Sequence, residues 1–253
     1  MSTIEVNNLS KQYGDVQALD DVSFTIDDGE FVVLLGESGA GKSTLLRCLN
    51  GITEPTSGSV IIDGEEVNGP RDDVAMIFQQ HYILEEMTAY SNALTGSLGR
   101  NGFFQSLLGR YPEEDKHEAL RALETVGLLD EANQRTSSMS GGQQQRVGIA
   151  RALVQQPNLL LADEPVASLD PASAEVVMRY IREAAAARNL STIASLHQVN
   201  IAREFGERFL GMKDGKLVFD GDRDDFTVDT IDEIYGDIET DSIREEQRME
   251  VEP

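Results

Sequence analysis

The chain has 253 residues, of which 45 are Asp or Glu and 21 are Lys or Arg, for a formal net charge of −24 and a pI of about 4.3. That balance excludes nucleic acid and bare anionic lipid as routine partners, because both need a basic surface to meet their phosphates. The cations are 16 Arg and 5 Lys, and carboxylates in excess with few lysines suit a chain bathed in concentrated salt, where screening tolerates the charge; an acidic mesophilic protein is the alternative reading.

The first ten residues, MSTIEVNNLS, carry neither the basic start nor the apolar run of a signal peptide. Residues 3–9 (TIEVNNL) and 22–26 (VSFTI) alternate apolar and polar and predict half-buried strands. FVVLL (31–35) is continuously apolar, as a strand covered on both faces should be. A glycine-rich turn follows, then a helix from Lys42 that ends at Gly51. SGSVIIDGEEV (57–67) predicts a hairpin turning at Asp63-Gly64, and VAMIFQ (74–79) a short buried strand. From about 83 to 157 the character becomes helical, with Leu120, Leu123 and Val126/Gly127 on one face of HEALRALETVGLL (117–129) and a second helix over 147–156. Strands return at LLLAD (159–163) and STIASL (191–196). Between them Asp170-Pro171 starts a helix to about 188 that buries Val177, Ile181 and Ala184. KLVFDG (216–221) closes the expected ordered core.

Residues 220–253 hold 14 acidic and 3 basic side chains, nearly half of the excess charge, and predict a mostly solvated tail. The single cysteine, Cys48, permits no internal disulfide. No apolar run approaches the ~20 residues that span a bilayer, so the expectation is an intracellular chain without direct membrane insertion, attached to a membrane only through a partner. Strands alternating with helices, interrupted by a helical stretch, predict a parallel-sheet nucleotide-binding core with an inserted helical lobe.

Two motifs carry chemistry. Gly36-Glu37-Ser38-Gly39-Ala40-Gly41-Lys42-Ser43, with Thr44 next in the helix, fits G-x-x-x-x-G-K-[ST] between a strand and a helix. Its glycines let successive N–H groups converge on phosphate oxygens at a helix N-terminus. Lys42 offers a point charge to the β and γ phosphates, and Ser43 a hydroxyl ligand for Mg²⁺. LLLADE (159–164) then brings Asp163 to a strand end, where it can hold the Mg²⁺ shell, and aims Glu164 at the γ phosphate to polarise the attacking water.

Met139-Ser140-Gly141-Gly142-Gln143, followed by QQRVGIARAL, resembles the LSGGQ signature of ATP-binding-cassette (ABC) ATPases, with Met for the first Leu, a volume-conserving swap. The resemblance implies an α/β fold: a P-loop NTPase core (about 1–82 and 158–225) with an antiparallel β subdomain, an inserted helical subdomain (about 83–157) and an acidic tail (226–253). It implies a homodimer of nucleotide-binding subunits in which Ser140 and Gly142 of one copy meet the γ phosphate held by the other. Further family positions follow residue by residue. Tyr13 stands where an aromatic stacks on adenine, and Gln79 where a lobe-linking glutamine touches Mg²⁺ or water and reports to a transmembrane partner, its neighbour Gln80 being the lesser candidate. Asp170, in Ser168-Leu169-Asp170, lies on the loop that crosses the dimer interface, and His197 at the switch-histidine position.

One cassette, with no coiled coil, zinc ligands or basic patch, favours a transporter subunit over a soluble ABC ATPase acting on DNA, ribosomes or iron–sulfur assembly. SLGRNGFFQSLLGRYPEEDKHEALRALETVGL, LLADEPVASLDPASAEVVM and SLHQVNIAREFGERFLGMKDGKLVFDG resemble the phosphonate-import ATP-binding proteins over about residues 3–221. The resemblance implies two transmembrane permease subunits, a solute-binding protein, ATP and Mg²⁺ as ligands, and a seat on the cytoplasmic face of the membrane. Phosphite, phosphate or a polar amino acid are the alternative solutes, since this subunit does not itself touch the cargo. Departures are His81-Tyr82, where that family tends to show Phe-Asn, which bears on permease recognition, and the unmatched tail. FFQSLLG (103–109) reads either as lobe core or as part of a groove for the permease's coupling helix.

Overall fold

The computed structural model describes residues 3–79, 82–100 and 111–236. Gln80, His81, the FFQSLLG segment and residues 237–253 lie outside the described residues. In chain order the first elements are β1 (Ile4–Tyr13), β2 (Val16–Ile26), β3 (Phe31–Leu35), α1 (Lys42–Leu49), β4 (Ser57–Ile62), β5 (Glu65–Glu66) and β6 (Val74–Ile77). The helices α2 (Ala89–Leu94), α3 (Glu113–Thr125) and α4 (Gly141–Val154) follow. The chain then runs through β7 (Leu159–Asp163), α5 (Pro171–Arg188), β8 (Ser191–Ser195), α6 (Val199–Phe205), β9 (Arg208–Lys213), β10 (Lys216–Asp222) and α7 (Val228–Tyr235).

Two sheets result. β2-β1-β4-β5 form an antiparallel one, and the hairpin turn between β4 and β5 holds Asp63 (φ 57) and Gly64 (φ 78) in the left-handed region, the geometry that matches strand twist. The second sheet runs β10-β9-β3-β8-β7-β6, parallel except where β10 returns beside β9. FVVLL reads as a continuous apolar run because both sides are covered. Val32 and Leu34 join the cluster under α1 and the antiparallel sheet, while Phe31, Val33 and Leu35 join the cluster shared with α3, α4 and α5. The expected α/β core with its antiparallel sheet and helical insert is therefore the architecture found.

Three expectations are corrected. Helix α3 begins at Glu113 and buries Ala119, Ala122, Leu123 and Val126, whereas Leu120 is 37% exposed. The true i, i+3, i+4, i+7 stripe uses alanines, which allow close packing against α4, and the larger Leu120 lies off it. Helix α4 starts at Gly141 rather than Val147, because Ser140 caps it in a reciprocal box with Gln143 (Gln143 N to Ser140 Oγ 3.3 Å, Ser140 N to Gln143 Oε1 2.9 Å).

The third correction concerns the C-terminal segment. β10 does not close the ordered core, and the span expected to be solvated folds through Tyr235. Thr227 caps α7 in a box with Thr230, and Phe226, Ile231, Ile234 and Tyr235 are buried. Phe226 stacks on Phe209 with ring centroids 4.3 Å apart. Three apolar side chains on the helix, with Phe226 just before its cap, suffice to dock an otherwise acidic helix, a pattern the charge count conceals.

Candidate functional site

The sheet's register brings the predicted residues to one edge. Leu34 of β3 pairs with Ser195 of β8, and Ser195 pairs with Asp163 of β7. Ile77 of β6 pairs with Ala162. Gly36, His197, Glu164 and Gln79 each lie one or two residues past those levels, so all four leave the carboxyl ends of adjacent parallel strands, where open α/β sheets bind ligands.

The phosphate loop is built on backbone freedom. Gly36 (φ 147) and Gly41 (φ 101) sit in the region that favours glycine, and a Cβ would come 2.4 Å from Met212 O at Gly36 and 2.5 Å from Ala18 O at Gly41. Gly41 has no side chain with which to cap α1, so the first-turn N–H groups of Lys42, Ser43 and Thr44 are available to an anion. Glu37, Ser38 and Gly39 form the exposed crown of the loop, with Ala40 buried behind it. Lys42, 4% exposed, donates to the loop's own carbonyls at Gly36 (2.6 Å) and Glu37 (3.0 Å), and its Nζ lies 3.7 Å from Glu164 Oε1. Burial pulls its ammonium below the ordinary value, opposed by the charges of Glu164 and then Asp163.

The acidic half meets this loop directly. Ser43 Oγ donates to Asp163 Oδ1 at 2.8 Å. Ser195, wholly buried, donates to the same oxygen at 3.2 Å and accepts the Glu164 amide at 2.8 Å. Glu164 has φ 47, a left-handed conformation unusual for a long side chain, and the bond to Ser195 helps hold it. A hydroxyl beside a carboxylate, with the exposed Gln79 amide at the same edge, is a hard oxygen donor set.

The remaining predicted residues lie nearby or on the helical lobe. Tyr13, 47% exposed, tips the β1–β2 hairpin, with Lys11 Nζ 5.0 Å from its ring centroid; Ala18, on the same hairpin, abuts Gly41. His197 is exposed just after β8. Ser140, Gly142 and Gln143 line a cleft of about 300 Å³ with Arg146 and Ser173 at the start of α4, and Asp170 caps α5, accepting the Ser173 amide at 3.0 Å. Those bonds from Ser173 hold the Asp170 carboxyl below its usual range. Sequence reasoning missed Ser195 and Tyr235. SLHQ placed a serine two residues before the switch histidine, the available signal for Ser195, whereas Tyr235 lay in the segment set aside as tail.

A phosphate loop whose sheet carries, on an inserted helical lobe, a second glycine-bearing helix terminus defines an ATP-binding cassette. The family model for ABC transporters matches residues 19–167, and the chain belongs to that family: it is an ATP-binding ATPase subunit. It is 73% identical over 244 residues to the "Phosphonates import ATP-binding protein PhnC" of Halobacterium salinarum, covering 96% of this chain and 87% of that protein. It is 60% identical to "Phosphonates import ATP-binding protein PhnC 2" of Haloquadratum walsbyi, covering 95% and 85%. Among solved structures it resembles a dimeric ATP-binding cassette in a post-hydrolysis state with ADP and Pi, at 32% identity and TM-score 0.72, covering 87% of this chain and 98% of that one. The chain is thus a member of the phosphonate-import ATP-binding protein family.

Proposed function

We propose that the chain powers a phosphonate importer by hydrolysing ATP at the interface of two identical cassettes. The observation that carries the paired arrangement is the placing of Gly141 and Gly142. Neither has positive φ, and a Cβ on either would meet its nearest neighbour in this chain at an ordinary 3.6 Å. Glycine costs a helix about 1 kcal/mol relative to Ala, so packing within the chain does not call for two in the first turn. Close approach from outside does, and nucleotide phosphate held by a second copy would make that approach to the N-terminus of α4.

Within each site the roles follow from the geometry. The Lys42–Ser43–Thr44 turn receives the β and γ phosphates, and Lys42 exchanges the Gly36 and Glu37 carbonyls for them. Tyr13 offers its ring to the adenine. Ser43, Asp163 and Gln79 would hold Mg²⁺; no group of three or more His, Cys, Asp or Glu among the described residues could hold a metal unaided, which fits an ion that arrives sharing phosphate oxygens. The ion would supply charge neutralisation to the transferring phosphoryl group. Glu164 orients and polarises the attacking water, and His197 aims at the γ phosphate. Little covalent chemistry is asked of the protein; positioning supplies the rate.

Coupling runs through the helical lobe. Thr136 Oγ1 donates to the Leu84 carbonyl at 3.0 Å, and the buried Asn92 bonds the Leu84 N–H and carbonyl at 2.7 and 3.0 Å. The segment after Gln79 is thereby stitched to the one leading into Ser140. A groove of about 470 Å³ lined by Ile52, Phe78, Tyr82, Thr95 and Arg151 opens beside it, and we assign it to a cytoplasmic helix of each permease subunit. That contact would seat the subunit at the cytoplasmic face of the membrane, and an external solute-binding protein would select the cargo; no described helix is long and apolar enough to cross a membrane.

Reconstitution with the permease and binding protein tests the reading. ATP turnover should rise with a phosphonate, and equal stimulation by a polar amino acid overturns the substrate. Gly142→Ala should keep or raise its melting temperature yet lose ATP-driven dimerisation; an intact dimer in that variant overturns the shared site.

A further inference from the structure

The parallel ladder between β3 and β8 ends with the Leu196 N–H donating to the Leu34 carbonyl at 2.9 Å. Beyond it β3 becomes the phosphate loop and β8 the switch loop. Where the next rung would fall stands a side chain from the far end of the described chain. The Tyr235 hydroxyl accepts the Gly36 N–H at 3.2 Å and donates to the His197 carbonyl at 3.4 Å. Tyr235 is 5% exposed, its ring held in the cluster with Phe209, Ile231 and Ile234. Gly211 on β9 leaves the space for this helix, since a Cβ there would lie 2.5 Å from Ile234 Cδ1.

We propose that Tyr235 is a positioning residue for ATP hydrolysis: its hydroxyl is an inserted rung that sets the His197 backbone against the phosphate loop and so aims the His197 imidazole at the terminal phosphate. This rests on the role given to His197 above. A buried phenol needs a partner for its O–H, yet many carbonyls would serve; here the Gly36 N–H and the His197 carbonyl belong to the two loops proposed to act in catalysis, where they leave the sheet. The Gly36 bond lies at the long end of the N–H···O range and the His197 bond is longer than a usual O–H···O bond, so both have room to shorten when nucleotide binds. α7 thereby becomes part of the catalytic frame.

Tyr235→Phe removes the oxygen and keeps the packed ring. In the assembled transporter at high salt it should lower kcat by about 3- to 10-fold, the scale of one hydrogen bond, while KM for ATP stays within about 2-fold. In a His197→Ala background the same change should alter the residual rate by less than about 2-fold, because the imidazole it aims is gone. Equal losses in both backgrounds with a lowered melting temperature would make Tyr235 merely structural and overturn the proposal, as would an unchanged kcat when His197→Ala alone is impaired. Wild-type turnover in His197→Ala would instead remove the histidine's role and the proposal with it, so the two failures are told apart.

Discussion

Lys42 Nζ and Glu164 Oε1 lie 3.7 Å apart, so the phosphate-loop lysine and the glutamate proposed to activate water face each other before any phosphate intervenes. In the proposed site nucleotide would separate them, taking the lysine and leaving the carboxylate for water. Glu164→Gln keeps the shape and removes the charge. It should bind ATP at least as tightly as the wild type, lose turnover by a factor of about 10² or more, and accumulate as an ATP-bound dimer on size exclusion. Turnover near wild type would show that another group activates the water.

The wholly buried Thr136 hydroxyl predicts a more local effect. Its single O–H is within reach of the carbonyls of Leu84, Glu85 and Met87, at 3.0, 3.3 and 3.3 Å, the Leu84 oxygen being nearest. Thr136→Val keeps the volume and removes only that hydroxyl, because the Asn92 amide, the Ser137 N–H and the Thr136 N–H still serve the Leu84, Glu85 and Met87 carbonyls; the cost is that of one net hydrogen bond, about 0.5–1.5 kcal/mol. Since 1 kcal/mol moves the midpoint of a domain this size by about 2–4 °C, melting should fall by a few degrees. Solute-stimulated turnover should fall further than basal turnover, because the stitch joins the segment after Gln79 to the signature helix. An equal fall in both would confine Thr136 to folding.

Cys48 supplies a spectroscopic check of the core under α1. Burial pushes its thiol up to about 11 from 9.0, only partly offset by the charge of Lys11. The thiolate is the reactive form, so labelling by a disulfide reagent at pH 8 should be negligible when folded and complete in denaturant. The folded value lies above the unfolded one. The associated stability is therefore fully present below about pH 9 and is lost as pH rises toward 11. The melting midpoint should begin to fall above pH 9, and Cys48→Ser should flatten that slope. Rapid labelling of the folded chain at pH 8 would contradict the burial.

What could be read from the sequence was whatever depends on local spacing. The phosphate loop, LLLADE and the signature are short, contiguous and flanked by the right elements, and the parallel register then places Gly36, Glu164 and His197 side by side. What could not be read depends on pairings far along the chain. Ser195 acts on residues 31 and 32 positions earlier, and Tyr235 on one 199 positions earlier. Neither leaves a periodic trace. Composition misled at α7, where an average over 220–253 submerged Phe226, Ile231, Ile234 and Tyr235 among carboxylates. Leu120 misled in the opposite sense, a large apolar residue drawing the helix face away from the alanines that pack.

The charge of −24 leads to the last prediction. The described cations are largely committed to pairs: Arg208 grips Glu30 and Asp220 at 3.0 and 2.8 Å, Arg71 grips Asp73 at 2.8 Å, and Arg188 reaches Glu118 at 2.7 Å. The Asp220 and Glu30 bonds raise Arg208 above its ordinary value, so that clamp stays charged throughout the working range. With 45 carboxylates to 21 cations, more than half of the carboxylates can have no cation of their own, and their mutual repulsion disfavours the compact state. Screening relieves it: the Debye length falls from about 10 Å at 0.1 M to about 3 Å at 1 M. Melting temperature and ATP turnover should therefore rise steeply between 0.1 and about 2 M KCl, and NaCl should serve nearly as well, since screening depends on ionic strength. A neutral osmolyte at equal osmolality should not reproduce the rise in full. Full stability at low ionic strength would mean that the acidic surface is tolerated without salt.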